Sequence, residues 1–201
     1  MAPLPPRIVV ASANPKKAAE LAELLSSLPV EVVPRPTSVP DVVEDGETFL
    51  DNARLKAVAL AAATGDAALA DDSGLEVDAL GGAPGVHSAR YSGEHATDED
   101  NVAHLLGELE RLGAEGSDAR RARFRCVLVL RWPDGAELTT SGTVEGHLTA
   151  SPIGDAGFGY DPIFVPDDGD GRTFAQMSSA EKQAISHRGR ALARLVQLLG
   201  T

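Results

Sequence analysis

The apolar positions follow two periods along the chain. Arg7-Ile8-Val9-Val10-Ala11-Ser12 is a continuous apolar run that predicts a buried strand, and the spacing of Ala18, Leu21, Leu24 and Leu25 predicts a helix behind a short loop. Val30 to Val33 reads as a second strand, followed by an irregular Pro-containing connection from Pro34 to Pro40. Thr48 is placed to cap a long Ala-rich helix running to about Ala63, with Phe49, Ala53, Ala57, Leu60 and Ala61 inward and Gly65 ending it.

Ala67-Ala68-Leu69 reads as the end of a buried strand, closing on Asp71-Asp72-Ser73-Gly74, where Ser-Gly permits a turn. Leu75 to Leu80 then alternates like a strand with one exposed face, and Gly81 to Gly85 breaks it. Thr97 opens another helix, striped by Val102, Leu105, Leu106, Leu109 and Leu112 and stopped by Gly113. The segment from Gly113 to Ala119 reads as a solvent loop. Two strands, Arg123 to Trp132 and Ala136 to Thr149, form a hairpin about Pro133-Asp134-Gly135, and a last strand lies near Pro162 to Val165. Ser178 and Glu181 have capping-box spacing at the start of a C-terminal helical region that takes in Ile185 to Gly189. Strands mixed with helices around a central hairpin predict an α/β fold with a mixed sheet.

Composition narrows the partners. The chain has 201 residues, 43% of them apolar, enough for one sizeable domain or two closely packed lobes. Its formal charge of -12 argues against a nucleic acid polymer, which is met by fields of Lys and Arg, but leaves room for a small anion held by a few concentrated cations. Cys126 is the sole cysteine and lies in an apolar run, so a buried, inert thiol is expected. The opening Met1 to Pro6 lacks signal-peptide character and no apolar run approaches the length of a membrane span, which suits a cytoplasmic enzyme or binding protein with no membrane partner.

Several segments carry candidate chemistry. Asp71 and Asp72 fall on opposite faces of an extended chain, so one reaches a ligand, most economically a hard divalent cation, while the other braces the turn; an Asp-rich turn without a ligand is the alternative. Ser12-Ala13-Asn14-Pro15-Lys16-Lys17 lies between strand and helix, where free helix N–H groups favour an anion, although Asn14 and Pro15 also suit a simple helix cap. Glu44 and Asp45 place further carboxylates in a loop. Gly157-Phe158-Gly159-Tyr160-Asp161 either lets a ligand approach the Phe158 face or plugs the core under a turn. Lys182, His187 and Arg188 form a basic cluster in which His187 and Arg188 supply directed N–H donors suited to a carbonyl oxygen or phosphate, unless the cluster merely balances a helix end or pairs with nearby acids. Neither common Gly-rich nucleotide loop is present.

Taken in order, the motifs are more specific than any one of them. Ser12-x-Asn14-x-x-Lys17, Thr48-Phe49-x-x-Asn52-Ala53, Ala70 to Leu75, Gly81-Gly82-x-Pro84-Gly85 with Ser88 to Tyr91, Phe158 to Pro162 and Ser186 to Gly189 together resemble the inosine triphosphate pyrophosphatase family and its bacterial branch, over residues 7–199. Asp51, where the family commonly has Glu, and the Pro-rich N-terminal extension depart from it.

The resemblance implies a single domain over residues 1–201 with a long mixed twisted sheet, two lobes, a central active-site cleft and a homodimer. It implies hydrolysis of ITP, dITP and XTP to the monophosphate and pyrophosphate, with Mg2+ held by Glu44 and Asp72. Asp72 is then the proton acceptor and Lys17 its catalytic companion. Ser12, Ala13, Asn14, Pro15, Lys16 and Lys17 hold phosphate, joined by Lys182, with Ser73 beside the metal. Phe158, Gly159, Tyr160 and Asp161 line the base, with His187 and Arg188 donating to the 6-carbonyl that adenine lacks. Two other classes stay open: a nucleotide-binding regulator without turnover, and a metal-dependent phosphatase for other substrates.

Overall fold

Six strands form one mixed sheet in a computed structural model that describes residues 4–12, 15–26 and 28–200, with the backbone alone at Pro15, Lys16 and Leu24. In chain order the main elements are β1 (Arg7–Val10), α1 (Pro15–Leu25), β2 (Glu31–Pro34), α2 (Phe49–Thr64), β3 (Ala67–Val77), α3 (Asp98–Arg111) and α4 (Gly116–Ala119). They continue with β4 (Arg121–Arg131), β5 (Glu137–Leu148), β6 (Phe164–Pro166), α5 (Ser179–Ile185) and α6 (His187–Leu198). The strand order is β2-β1-β3-β4-β5-β6, with β1 parallel to both β2 and β3, and β6 antiparallel to β5.

The local signals behave as their chemistry requires. Thr48 caps α2 by accepting from the Asp51 amide, and Gly65 ends it in the left-handed region at φ 72°. Capping boxes open α3 at Thr97 and α5 at Ser178. The hairpin turns where expected, closed by the Trp132 amide donating to the Ala136 carbonyl at 2.9 Å.

Four expectations need correction. No turn follows Asp72: β3 runs unbroken through Asp71-Asp72-Ser73-Gly74, so Asp71 has no turn to brace, and the Leu75 to Leu80 strand is the far half of β3, ending at Val77. Gly116 to Ala119 forms the short helix α4 rather than an open loop. Leu112, counted in the helical stripe, is 59% exposed because it stands after the last turn of α3. The C-terminal helical region is two helices, broken at Ser186, whose ψ of 158° is extended.

The chain divides into two compact units. The first comprises Met1–Asp72, Cys126–Gly142 and Gly189–Thr201; the second comprises Ser73–Arg125 and Thr143–Arg188. In the first, strand alternation feeds two cores. Ile8, Val10, Ala67, Leu69, Cys126, Leu128 and Leu130 pack with Leu21, Leu25, Leu192 and Leu195 from α1 and α6. Val9, Ala68, Ala70 and Val129 pack instead with Ala53, Ala57, Leu60 and Ala61 from α2. Cys126 is fully buried, as its apolar run predicts.

The second unit has one core, in which Leu105 and Leu109 of α3 meet Leu75, Phe124, Tyr160, Phe164 and Phe174. Gly146 of β5 lies here against β6, and a Cβ at that position would come within 2.3 Å of the Val165 carbonyl oxygen and 2.7 Å of the Phe164 ring. Backbone cannot retreat as a side chain does, so Gly146→Ala is expected to cost about 2 kcal/mol. Thermal unfolding should show a Tm lower by roughly 4–8 °C; an unchanged Tm would mean that β6 does not pack as described.

Candidate active site

The alternation of β3 decides which carboxylate faces which helix. Ala68 and Ala70 point toward α2, and Asp72 is next in that series, whereas Ala67 and Leu69 point toward α1 and α6 with Asp71 next in theirs. Both carboxylates are buried, Asp72 at 6% exposure and Asp71 at 3%. Asp72 meets two polar side chains from successive turns of α2. The Asn52 amide donates to Oδ2 at 3.3 Å, and the Lys56 ammonium lies 3.3 Å from Oδ1.

The same ammonium lies 3.1 Å from Glu44 Oε2, so Glu44 and Asp72 converge on one cation. Asn52 also accepts the Gly46 N–H at 2.8 Å, drawing the 44–46 loop against α2. Gly46 permits that approach, since a Cβ there would lie 2.7 Å from Asn52 Oδ1. Burial raises the Asp72 carboxyl above the usual carboxylate range, with the Lys56 and Lys17 charges opposing it. Burial alone would lower the Lys56 ammonium, but Asp72, Asp71 and Glu44 together outweigh it and hold it above its ordinary value.

Glu44 and Asp72, which meet at the Lys56 ammonium, are hard oxygen donors of the kind suited to Mg2+ carried on a polyphosphate, which takes one or two protein carboxylates and keeps the rest of its shell as water and phosphate oxygen. Among the described residues no three His, Cys, Asp or Glu side chains gather as a self-sufficient metal site. Lys17 stands on the first turn of α1, near enough for its charge to act on Asp72. Ala13 and Asn14 lie outside the described residues, as do the side chains of Pro15 and Lys16, while Ser12 follows β1 on the loop.

The second unit assembles the other candidates. Phe158 is half-buried, with the Lys182 ammonium 4.5 Å and the Arg188 guanidinium 5.8 Å from its ring centre. Lys182 and Asp161 form a buried ion pair at 2.6 Å, and Asp161 Oδ2 also accepts the Phe158 N–H at 2.9 Å. Arg188 is 1% exposed and donates to Ser73 Oγ at 3.0 Å. His187 stacks on Phe124, their rings 4.8 Å apart and 10° from parallel.

Tyr160 takes the core-plug reading of the aromatic loop, 3% exposed with its hydroxyl donating to the Ser88 carbonyl, whereas Phe158 is half-buried with Lys182 and Arg188 over its ring. His187 and Arg188 open α6, where the dipole disfavours cations, so the stability of that helix does not account for them.

The comparisons with known proteins cover the whole of this arrangement. The model of the Ham1 family matches residues 8–198. The chain belongs to the Ham1 family. Among Ham1 relatives, the protein named dITP/XTP pyrophosphatase in Geobacter sulfurreducens is 50% identical over 196 residues, covering 96% of each chain. That of Shigella flexneri is 50% identical over 197 residues, covering 96% of this chain and 98% of its own. A solved HAM1 protein from Coxiella burnetii superposes with a TM-score of 0.87 at 45% identity, over 96% of this chain and 98% of that one. The mixed α/β sheet flanked by helices expected from the motifs is the fold observed, and it is shared with that Ham1 structure.

Sequence reasoning missed Lys56 and assigned no role to Asn52. Their signal was present: Asn52 and Lys56 are four residues apart and interrupt the Ala-rich inward face at Ala53 and Ala57. A Lys in such a stripe is explained by a buried anion, and Asp72 supplies it.

Proposed function

We infer that the chain hydrolyses non-standard purine nucleoside triphosphates, ITP, dITP and XTP, to the monophosphate and pyrophosphate, removing them from the nucleotide pool. The observation that carries this is the end-to-end Ham1 match with relatives half identical and named dITP/XTP pyrophosphatase. Water attacks the α-phosphorus, the bond from that phosphorus to the bridging oxygen of the β-phosphate breaks, and pyrophosphate leaves.

Asp72 accepts the water proton, as a general base within the site. Mg2+, when bound, neutralises phosphate charge and orients the triphosphate, with Glu44 and Asp72 as the residues to hold it. Lys17, with the Ser12 to Lys16 segment, holds phosphate oxygen, and Lys182 adds a second cation. Phe158 stacks on the base, and Ser73 orients Arg188 through the 3.0 Å bond between them. N–H groups of His187 and Arg188 donate to the 6-carbonyl oxygen of hypoxanthine or xanthine and face the amino group of adenine donor to donor. A homodimer and a cytoplasmic location complete the reading; among the described residues no helix is long and apolar enough to cross a membrane.

The test is a nucleotide panel assayed with and without Mg2+ for pyrophosphate and orthophosphate. Pyrophosphate from ITP, dITP and XTP far above ATP is expected, while orthophosphate as the first product would mean phosphatase chemistry and no turnover would favour a binding regulator. His187→Ala removes one of two discriminating donors and should lower the ITP to ATP ratio of kcat/KM about tenfold. An unchanged ratio would move base reading to other residues.

A further inference from the structure

We propose that Asp98 is a positioning residue for the loop that carries Phe158, an inference that rests on Phe158 being the base-stacking ring. The loop from Gly157 to Asp161 is bent by two glycines in the left-handed region, at φ 79° for Gly157 and 59° for Gly159. Its two successive amides are each taken by a carboxylate. The Phe158 N–H donates to Asp161 Oδ2 at 2.9 Å, and the Gly159 N–H donates to Asp98 Oδ2 at 2.7 Å.

These two bonds do different work. Asp161 belongs to the loop, so its bond sets the loop's shape. Asp98 is 61 residues away in sequence, on the first turn of α3, and its bond sets where the loop stands. That helix is a firm reference, because Val102, Leu105 and Leu109 are 5%, 0% and 0% exposed in the core of the second unit. Asn101, one turn along, ties a neighbouring segment to the same helix, accepting from the Ser92 N–H at 2.8 Å and donating to the Ala89 carbonyl at 3.2 Å. Tyr160 then joins the two segments through its bond to the Ser88 carbonyl.

Helix stability does not account for Asp98. Asp100 makes the capping box with Thr97, and Glu99 and Asp100 already supply negative charge to the first turn of α3. Asp98 is exposed, so its replacement disturbs no packing, while the stacking ring loses its reference and must be ordered by the substrate on binding.

Asp98→Ala is expected to raise KM for ITP about fivefold, the size of one exposed hydrogen bond, with kcat at saturation and Tm close to those of the parent. Asp98→Asn keeps an acceptor oxygen and should bring KM back to within about twofold of the parent. Phe158→Ala, measured alongside, separates the two layers of the inference. If it raises KM while Asp98→Ala does not, the positioning role is wrong and stacking stands; if it leaves KM unchanged, stacking fails and the positioning role with it. Equal losses in kcat and Tm for Asp98→Ala, with no rescue by Asn, would also overturn the proposal, since those mark a general structural defect.

Discussion

Asp72→Asn is expected to lower kcat by about three orders of magnitude while ITP still binds. General-base catalysis contributes roughly 10^2 to 10^4, and the amide keeps the shape of the side chain while losing both the proton-accepting charge and half of the carboxylate pair with Glu44. Local structure should survive. One amide oxygen can still accept from Asn52, and Lys56 retains Glu44. Single-turnover assays with ITP would separate chemistry from binding, and calorimetry should show an ITP affinity within a few-fold of the parent. A variant with full turnover would remove Asp72 from the mechanism. Asp71→Asn is the matched control: Asp71 alternates with Asp72 along β3, and it is Asp72 that takes the Asn52 and Lys56 bonds, so the effect of Asp71→Asn on kcat should be smaller.

Asp161→Ala should strongly destabilise the second unit. It removes the carboxylate 2.6 Å from the Lys182 ammonium, whose side chain is 7% exposed, and breaking one side of a buried pair costs about 3–5 kcal/mol. It also frees the Phe158 N–H, so the stacking loop loosens as the protein weakens. At roughly 2–4 °C per kcal/mol for a chain of this size, Tm should fall by about 10 °C. The companion Asp161→Ala, Lys182→Met variant removes the stranded charge and should recover much of that Tm without recovering affinity for ITP. A single variant as stable as the parent would show that Lys182 reaches solvent and that the pair is not buried.

Asp161 and Asp72 differ in how far their sequence surroundings reveal their partners. Asp161 stands in a motif, but its ion pair with Lys182 joins positions 21 apart, across a strand and a 3-10 turn, which no local period encodes. Asp72 is legible as half of a carboxylate pair, and the wrong expectation about it was local: Ser73-Gly74 permits a turn, yet pairing within the sheet keeps β3 extended. Propensity allowed both conformations, and burial on both faces selected the strand. The reverse occurred at Ser186, where Ser186 to Gly189 reads as continuous helix and the chain instead breaks and starts α6 at His187.

Elements whose signals are local are legible from sequence: the caps at Thr48, Thr97 and Ser178, the left-handed stop at Gly65, the hairpin turn, the buried runs and the set of motif residues that carries the inosine triphosphate pyrophosphatase resemblance. These depend on contacts within a few residues, where side-chain chemistry and backbone preference act directly. It takes the folded chain to show that Asp72 and not Asp71 shares an ammonium with Glu44, that Lys56 is that ammonium, that Tyr160 plugs the core, and that Asp98 accepts the Gly159 N–H. Each of these joins residues distant in sequence. Their geometry is set by which face of a strand or helix is buried against which neighbour, and that is fixed only when the cores close.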